Sequence, residues 1–270
     1  MPEPVTADAL LIGVGDLGTR IGLRLAADGT DVAGLRRSAH LVPGPIRGVA
    51  ADLTGDAPLP ALAADLLVVC LTADGRDAAA YRRTYVDGMA RALDALTRTP
   101  ERAVLVSSTS VYGDAEGLLD EDSPPSPARE TAAVLLEAER VFAERVPGGV
   151  VARMSGIYGP ERAGRLVEQV RRGEDPDPAR WTNRIHEDDA AAAVVHLLRG
   201  GPQEPTYLVT DDEPVTAGEV RAHLGGRLGV EWASADAEPH GRRLSNARLR
   251  ATGFELAYPT FREGYAFVGG

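Results

Sequence analysis

The chain has 270 residues, of which 44% are hydrophobic and 26% are charged, and its formal net charge is −11. This length and composition are typical of a globular protein with a substantial core, and they exclude a disordered chain. The strong negative charge argues against nucleic acids and anionic membranes as partners, because both present phosphate-rich surfaces that repel an acidic protein.

The first part of the sequence alternates between short apolar runs and amphipathic runs. Uninterrupted apolar runs predict strands that are buried on both faces, and apolar residues at helical spacing predict amphipathic helices. The predicted strands are residues 9–12, 31–35, 48–50, 66–71 and 103–108, and the predicted helices are residues 20–26 and 79–96. This alternation predicts a parallel sheet with right-handed crossovers.

A glycine-rich motif joins the first predicted strand to the first predicted helix. Gly13, Gly15 and Gly18 have the G-x-G-x-x-G spacing that permits a tight turn, a close approach of a pyrophosphate and close packing of helix on strand. Backbone N–H groups at the helix start, around Asp16 and Leu17, would then hold the phosphates. An ordinary glycine-rich turn has the same spacing, but the flanking strand and helix favour a dinucleotide site.

Two arginines, Arg36 and Arg37, follow the second predicted strand. In proteins that bind NAD, this place usually carries an acidic residue that binds the ribose hydroxyls. An acid would repel a 2′-phosphate, whereas arginine pairs with it and stacks on adenine. The sequence therefore predicts NADP(H) as the cofactor in preference to NAD(H), and the alternative interpretation is that both arginines are solvated surface residues.

The single cysteine, Cys70, lies inside an apolar run and is interpreted as a core residue. No Cys/His spacing in the sequence is typical of a metal site, so none is predicted. The start of the chain lacks the pattern of a signal peptide, and no apolar run reaches membrane-spanning length. The predicted compartment is the cytoplasm.

The second part of the sequence is less regular. Residues 113–129 are polar and rich in proline, which predicts a loop, and residues 174–184 predict another. The remaining predicted helices are residues 130–145, 162–171, 187–198 and 216–228, and the remaining predicted strands are residues 149–153 and 206–209. From Glu231 onward the pattern predicts a small lobe that faces the substrate.

Together these elements predict an α/β protein with a doubly wound parallel sheet of the Rossmann type and a small C-terminal substrate lobe. Residues 1–153 form the predicted dinucleotide-binding core. Residues 154–270 supply the remaining strands and helices and the substrate lobe, and they are predicted to form one structural unit with the core.

Several further motifs carry a resemblance to a known family. They are the glycine motif, residues 51–53 (ADL), residues 107–113 (SSTSVYG), residues 153–160 (RMSGIYGP) and residues 183–191 (NRIHEDDAA). In these motifs the chain resembles the extended and atypical short-chain dehydrogenases, the NAD(P)-dependent group that includes nucleoside-diphosphate-sugar epimerases. The resemblance covers nearly the whole chain, and it is far more specific for the fold than for a reaction.

The resemblance implies roles for individual residues. Ser108, four residues before Tyr112, matches the family's catalytic Ser/Thr, which hydrogen-bonds the substrate oxygen. The implied cofactor contacts are Asp52 and Leu53 at the adenine, Leu71 and Thr72 after the fourth strand, and Ser107, Ser155 and Tyr158 near the nicotinamide.

The family's proton relay is missing from this chain. The family places a Tyr, followed four residues later by a Lys, at the start of the helix at residues 130–145. This sequence has no tyrosine between Gly113 and Ile157, and all 29 of its basic residues are arginines. Where the family has an Asn on the long helix, this chain has Tyr85. The candidate substitutes for the proton donor are Tyr85, Tyr112, His186, Tyr158 and Glu130, and for Tyr85, Tyr112 and His186 a packing or structural role is the alternative.

We therefore expect an NADP(H)-dependent oxidoreductase or epimerase-like enzyme that acts on a small polar carbonyl or alcohol, with Ser108 at the substrate oxygen and a non-standard proton donor. Two alternatives stay open. One is a non-redox isomerase, lyase or cyclase that uses the same pocket, and the other is a non-catalytic protein that responds to NADP(H). The helices at residues 79–96 and 130–145 resemble the family's dimer faces, which leaves a homodimer open.

Overall fold

The computed structural model describes residues 2–174, 177–200, 204–232 and 237–269. The strands are β1 (Val5–Thr6), β2 (Ala9–Ile12), β3 (Val32–Arg36), β4 (Arg47–Ala50), β5 (Leu62–Ala63), β6 (Leu66–Val69), β7 (Arg102–Ser108), β8 (Gly117–Leu119), β9 (Val150–Met154), β10 (Gly156–Tyr158), β11 (Trp181–Thr182), β12 (Arg184–His186), β13 (Thr206–Val209), β14 (Val215–Thr216) and β15 (Arg242–Leu244).

The α-helices are α1 (Asp16–Ala27), α2 (Ala78–Tyr81), α3 (Met89–Asp94), α4 (Glu130–Arg145), α5 (Gly164–Arg171), α6 (Glu187–Arg199), α7 (Ala217–Leu228), α8 (Ala247–Ala251) and α9 (Phe261–Gly264). A π-helical segment, Arg82–Gly88, continues α2 into α3. Two short 3-10 turns cover Ala39–Leu41 and Thr109–Tyr112.

A seven-stranded parallel sheet lies at the centre of the fold, in the order β13-β9-β7-β6-β2-β3-β4. Numbered by their order in the chain, these strands run 3-2-1-4-5-6-7 from the β4 edge, which is the Rossmann order extended by one strand. The predicted doubly wound α/β fold is thereby confirmed. The order reverses between β2 and β6, and doubly wound proteins bind ligands beyond the carboxyl ends of the strands at such a point.

Burial on both faces explains why the strands form from uninterrupted apolar runs. Leu10 and Ile12 of β2 share one core cluster with Met89 of α3 and Phe142 of α4, and each of the four is at most 1% exposed. Leu11 lies between Leu10 and Ile12, points to the opposite face and is also fully buried. The sheet therefore has no solvent-facing side at its centre.

The chain divides into two compact units. Unit 1 comprises Met1–Gly113, Pro127–Arg153 and Ala191–Tyr207, and unit 2 comprises Asp114–Ser126, Met154–Ala190 and Leu208–Gly270. Unit 2 has a core of its own that includes Tyr158, Val170, Leu224, Phe261 and Tyr265. Its small sheets pair β10 with β12 and β8 with β15 in parallel, and β11 with β14 antiparallel. Within the described residues, no helix combines the length and the apolarity that crossing a membrane requires.

Two of the predicted loops contain strands, and the loop predictions are wrong there. β8 lies within residues 113–129, and β11 lies within residues 174–184, of which 175–176 are outside the described residues. Each of these strands has two or three residues and pairs with a strand far away in the sequence, so local periodicity gave no signal for it.

Candidate cofactor and active site

The glycine motif forms the turn between β2 and α1. Gly13 has a φ of +99°, and a Cβ placed on it would lie 2.3 Å from the carbonyl oxygen of Cys70. A Cβ on Gly18 would lie 2.4 Å from the carbonyl oxygen of Gly13. A Cβ placed on Gly15, by contrast, would have Oγ1 of Thr72 as its nearest neighbour, 3.9 Å away. The fold therefore needs glycine at positions 13 and 18, whereas Gly15 keeps space open in front of α1.

A cavity of about 260 Å³ begins at this turn. Its walls come from the carboxyl ends of four neighbouring strands of unit 1: residues 13–15 after β2, residues 35–37 of β3 and its loop, residues 51–54 after β4, and residues 70–74 after β6. Eight predicted cofactor residues meet at this cavity: Gly13, Gly15, Arg36, Arg37, Asp52, Leu53, Leu71 and Thr72.

Three predicted cofactor residues at the start of α1 do not line this cavity. Asp16 is exposed and forms an ion pair with Arg20, one helical turn further on, at 3.4 Å. Leu17 and Gly18 are buried, and Leu17 is 6% exposed. Gly15 is the N-cap residue and has no side chain to cap the helix, so the first backbone N–H groups of α1 are the donors that a phosphate would meet.

The two arginines after β3 differ in their partners. Arg37 makes a bidentate ion pair with Asp74, with Nη1–Oδ2 and Nη2–Oδ1 distances of 2.5 and 2.7 Å. Arg36 is partly buried in the cavity wall, and in the described part of the chain no side chain pairs with it. Arg36 is thus a cation that faces the cavity without a counter-ion from the described residues.

Arg91 of α3 holds the loop that follows β4. Its guanidinium donates to the carbonyl oxygens of Asp52 and Leu53 at 3.2 and 3.0 Å, and also to those of Gly55 and Ala57. Four backbone carbonyls are therefore fixed by one side chain. Because Asp52 and Leu53 line the cavity, Arg91 positions the wall that the resemblance assigns to adenine.

The Asp52 carboxylate is held by its own loop. Oδ1 of Asp52 accepts hydrogen bonds from the backbone N–H and the hydroxyl of Thr54, at 2.9 and 2.8 Å. These bonds hold the pKa of Asp52 below its usual range, and the charge of Arg37 acts in the same direction. Asp52 therefore presents an ionised, oriented carboxylate beside the cavity.

The two serines at the end of β7 are engaged differently. The Ser107 hydroxyl donates to Oε1 of Glu139 at 2.6 Å in a buried position. The Ser108 Oγ accepts the N–H of Ser110 at 3.1 Å and caps the following 3-10 turn. Because Ser108 is the acceptor in this hydrogen bond, its hydroxyl proton is available, and the hydroxyl is able to donate a hydrogen bond to a substrate oxygen.

Glu139 is the centre of a buried network that the sequence analysis did not find. Arg153 donates to Glu139 through Nε and Nη2, at 3.1 and 2.7 Å, and to the Tyr112 hydroxyl through Nη1, at 2.7 Å. Glu139 and Arg153 are 7% and 6% exposed, and Tyr112 is fully buried. This setting favours a structural role for Tyr112. A signal was present, because Glu139 lies on the same helix face as the buried Leu135 and Phe142.

Tyr85 lies in the π-helical segment, a local distortion that often accompanies functional sites. Its hydroxyl donates to the carbonyl oxygen of Leu71, which lines the cavity, at 3.2 Å. Burial raises the pKa of Tyr85 to about 12, and the neighbouring Tyr81 acts in the same direction. Tyr85 therefore reaches the cavity wall and keeps its proton at neutral pH.

Two residues predicted near the nicotinamide lie in unit 2. The Ser155 hydroxyl donates to the carbonyl oxygen of Val209 at 3.2 Å, and the Tyr158 hydroxyl donates to that of Thr260 at 3.3 Å. Both residues are at most 7% exposed. Burial raises the pKa of Tyr158 far above its usual value, so this hydroxyl also keeps its proton.

His186, the third candidate proton donor, also lies in unit 2. It is 3% exposed, and its ring stacks on Tyr258 with centroids 3.7 Å apart. The backbone N–H of Asp188 donates to Nδ1 at 3.2 Å, which assigns the proton of the neutral ring to Nε2. These contacts agree with the interpretation of His186 as an orienting residue before α6.

Unit 2 buries two charged residues, Asp211 and Arg184, whose backbone contact was not predictable from the sequence. Asp211 is 1% exposed, and its backbone N–H donates to the carbonyl oxygen of Arg184 at 2.7 Å. Burial raises the pKa of the Asp211 carboxyl to about 8, while the charge of Arg184 acts in the opposite direction. The Arg184 guanidinium donates to Oγ1 of Thr182 at 2.6 Å.

Comparison with known proteins agrees with this fold. The model of the NAD dependent epimerase/dehydratase family matches residues 9–209. Protein YeeZ of Escherichia coli (strain K12) is 28% identical, over 92% of this chain and 95% of YeeZ. The solved structure of a candidate NAD-dependent epimerase/dehydratase from Methylobacillus flagellatus is 36% identical, with a TM-score of 0.83 over 97% of each chain.

The human epimerase family protein SDR39U1 (isoform 2), solved with NADPH, shares the fold at 19% identity, with a TM-score of 0.75 over 97% of this chain and 99% of that one. The family match runs from β2 and the glycine turn to the last strand of the central sheet, β13. On this match, the chain belongs to the NAD-dependent epimerase/dehydratase family.

Proposed function

We propose that this protein is an NADP(H)-dependent oxidoreductase or epimerase-like enzyme that acts on a small polar carbonyl or alcohol. The observation that carries the proposal is the cavity at the switch point, where Gly15 leaves the N-terminus of α1 open and Arg36 lacks a counter-ion from the described residues. The helix N-terminus suits a pyrophosphate, and Arg36 suits a 2′-phosphate.

The choice of NADP(H) rests on this chain's own residues. The family and the Methylobacillus flagellatus protein are both named for NAD, whereas the human SDR39U1 structure holds NADPH. Neither Asp52 nor Asp74 stands at the end of β3, where NAD-binding proteins carry their ribose-binding acid. Arg36 ends that strand instead.

The residues present fit a nicotinamide dinucleotide, which when bound supplies the hydride donor or acceptor. Ser108 donates a hydrogen bond to the substrate oxygen with the proton that its capping contact leaves available. Tyr112 and His186 are at most 3% exposed and engaged by neighbours, so Tyr85 is the candidate proton donor whose hydroxyl reaches a cavity residue. With its pKa near 12, Tyr85 is protonated at neutral pH, so it is able to hydrogen-bond to a substrate oxygen that gains negative charge but does not act as a base.

The test is to measure turnover of a panel of small aldehydes, ketones and hydroxy acids by monitoring the absorbance of the reduced nicotinamide. Ser108→Ala should lower kcat/KM about 10²- to 10⁴-fold while leaving the cofactor Kd within about twofold, because Ser108 acts on the substrate. Ser110→Ala is the matched control and should retain activity. Equal activity of Ser108→Ala and the wild type would contradict the assigned role.

The missing Tyr and Lys pair favours a second candidate, a non-catalytic protein that responds to NADP(H). Tight cofactor binding with no turnover anywhere in the panel would support that candidate. Product formation without any change in the nicotinamide absorbance would instead point to an epimerase, or to non-redox isomerisation, elimination or cyclisation in the same pocket.

A further inference from the structure

The Arg37–Asp74 ion pair joins the loops that follow β3 and β6, which are the two neighbours of β2 in the central sheet. Both residues line the cavity that begins at the glycine turn. Their side chains are nevertheless 58% and 57% exposed. An ion pair this exposed contributes little net free energy, so a ligand with a stronger anionic group is able to replace one partner.

Arg37 has the geometry that a phosphate needs. Its two terminal nitrogens each contact a different carboxylate oxygen of Asp74, at 2.5 and 2.7 Å, so the fork is oriented for a bidentate anion. Arg36, the preceding residue, lines the same cavity and has no side-chain partner among the described residues. One of the two adjacent cations is therefore open to a ligand, and the other is occupied by a carboxylate of the chain.

We propose that Asp74 weakens the preference for NADP(H) over NAD(H) by competing with the ribose 2′-phosphate for Arg37. This inference rests on the proposed NADP(H) function. A phosphate monoester carries nearly two negative charges and the Asp74 carboxylate carries one, so the phosphate replaces Asp74 as the partner of the Arg37 guanidinium. The displaced carboxylate remains beside the phosphate and repels it. For NAD(H), which has a hydroxyl in that place, Arg37 stays on Asp74. Asp74 thus weakens a preference for NADP(H) that the two arginines alone would make stronger.

The chain supplies a matched control for this pair. Arg98 and Asp65 also form an exposed ion pair between an arginine and an aspartate, through one nitrogen and one carboxylate oxygen, and each side chain is 45% exposed. Asp65 directly precedes β6 and Arg98 lies ahead of β7, so the pair stands at the amino ends of these parallel strands. The cavity stands at the carboxyl ends, so Asp65→Asn removes one charge of an exposed arginine–aspartate pair without touching the cavity.

The experiment titrates the full-length wild type and Asp74→Asn with NADPH and NADH by calorimetry. In Asp74→Asn we expect the Kd of NADPH to fall about 3- to 10-fold and that of NADH to change by less than about twofold, because the variant releases Arg37 and removes a repelling charge. Asp65→Asn should change neither Kd. When Arg37 is replaced by Gln, Asp74→Asn should increase the affinity for NADPH less than it does in the wild type, because there is no Arg37 guanidinium to release.

The outcomes separate this inference from the proposed function. A wild type that prefers NADPH, with an unchanged ratio of Kd values in Asp74→Asn and in a second variant, Asp74→Ser, overturns the competition and leaves the NADP(H) proposal intact. A gain confined to NADPH supports the competition whichever cofactor the wild type prefers. A wild type that binds neither cofactor overturns both.

Discussion

Asp211 links the protonation of one buried side chain to the stability of unit 2. Burial raises the pKa of its carboxyl from 3.8 to about 8. Between these two values the native state keeps a proton that the unfolded chain has released. The native state then binds more protons than the unfolded state, so the free energy of unfolding falls as the pH rises through this window. The contribution is fully present below about pH 4 and is lost by about pH 8.

Asp211→Asn should remove this dependence, because an amide does not ionise. We expect the thermal midpoint of the variant to fall less than that of the wild type between about pH 5 and pH 8, and to equal or exceed it at the upper end. Scanning calorimetry over that range measures the effect. Asp122→Asn is the control, since Asp122 is 80% exposed and lies in the same unit. Parallel pH profiles for Asp211→Asn and the wild type would refute the assignment.

Single residues also show where sequence reasoning stops. The glycine motif and the end of the second strand predicted four residues that line one cavity, because strand ends and turn chemistry are local features, and the family resemblance implied four more. The partner of Arg37 was not predictable in this way, because Asp74 is 37 positions away and reaches it only through the fold. The same holds for the Ser107–Glu139 contact, which spans 32 positions.

At the scale of elements, two glycines in the turn between β2 and α1 serve different purposes: Gly18 is needed for folding, and Gly15 is needed for ligand binding. A Cβ on Gly18 would lie 2.4 Å from the backbone oxygen of Gly13, so the strand and helix would have to move apart. A Cβ on Gly15 meets nothing closer than 3.9 Å, so the fold accepts it. That Cβ would instead fill the space in which a pyrophosphate approaches the N-terminus of α1.

Gly15→Ala should therefore keep the thermal midpoint within about 2 °C of the wild type and weaken cofactor binding at least about tenfold. Gly18→Ala should lower the thermal midpoint by several degrees, because steric overlap with backbone is not relieved by rotating a side chain. Thermal unfolding and calorimetric titration of the two variants make the comparison. If Gly15→Ala bound the cofactor as tightly as the wild type, the pyrophosphate would not lie where we place it.

The long helix of unit 1 shows what apolar periodicity cannot predict. Residues 79–96 predict one amphipathic helix, and the structure has helix over residues 78–94 with a π-helical segment at Arg82–Gly88. A π-helical segment this short cannot be told from an α-helix by its apolar spacing, so the π segment that carries Tyr85 was not predictable from the sequence. The long sheet strands, in contrast, were predicted to within about two residues because their apolar runs are continuous.

At the scale of the whole molecule, cofactor binding has to overcome an unfavourable background. The net charge of −11 repels an anionic dinucleotide at long range, so affinity has to come from groups inside the cavity. In our proposal, those groups are the open N-terminus of α1 and the cation Arg36. The composition alone indicated only that such a local arrangement was needed.

The central claim is that Arg36 recognises a 2′-phosphate in the cavity beside the glycine turn. Calorimetric titration of the wild type and Arg36→Gln with NADPH and NADH tests it most directly, with Arg98→Gln as a control for losing one exposed arginine. We predict that the wild type binds NADPH more tightly than NADH. Arg36→Gln should raise the Kd of NADPH roughly 10- to 100-fold, because it removes one charge-assisted hydrogen bond to the 2′-phosphate. The Kd of NADH should rise less than about threefold. Equal losses for the two cofactors, or no binding of either by the wild type, would contradict the claim.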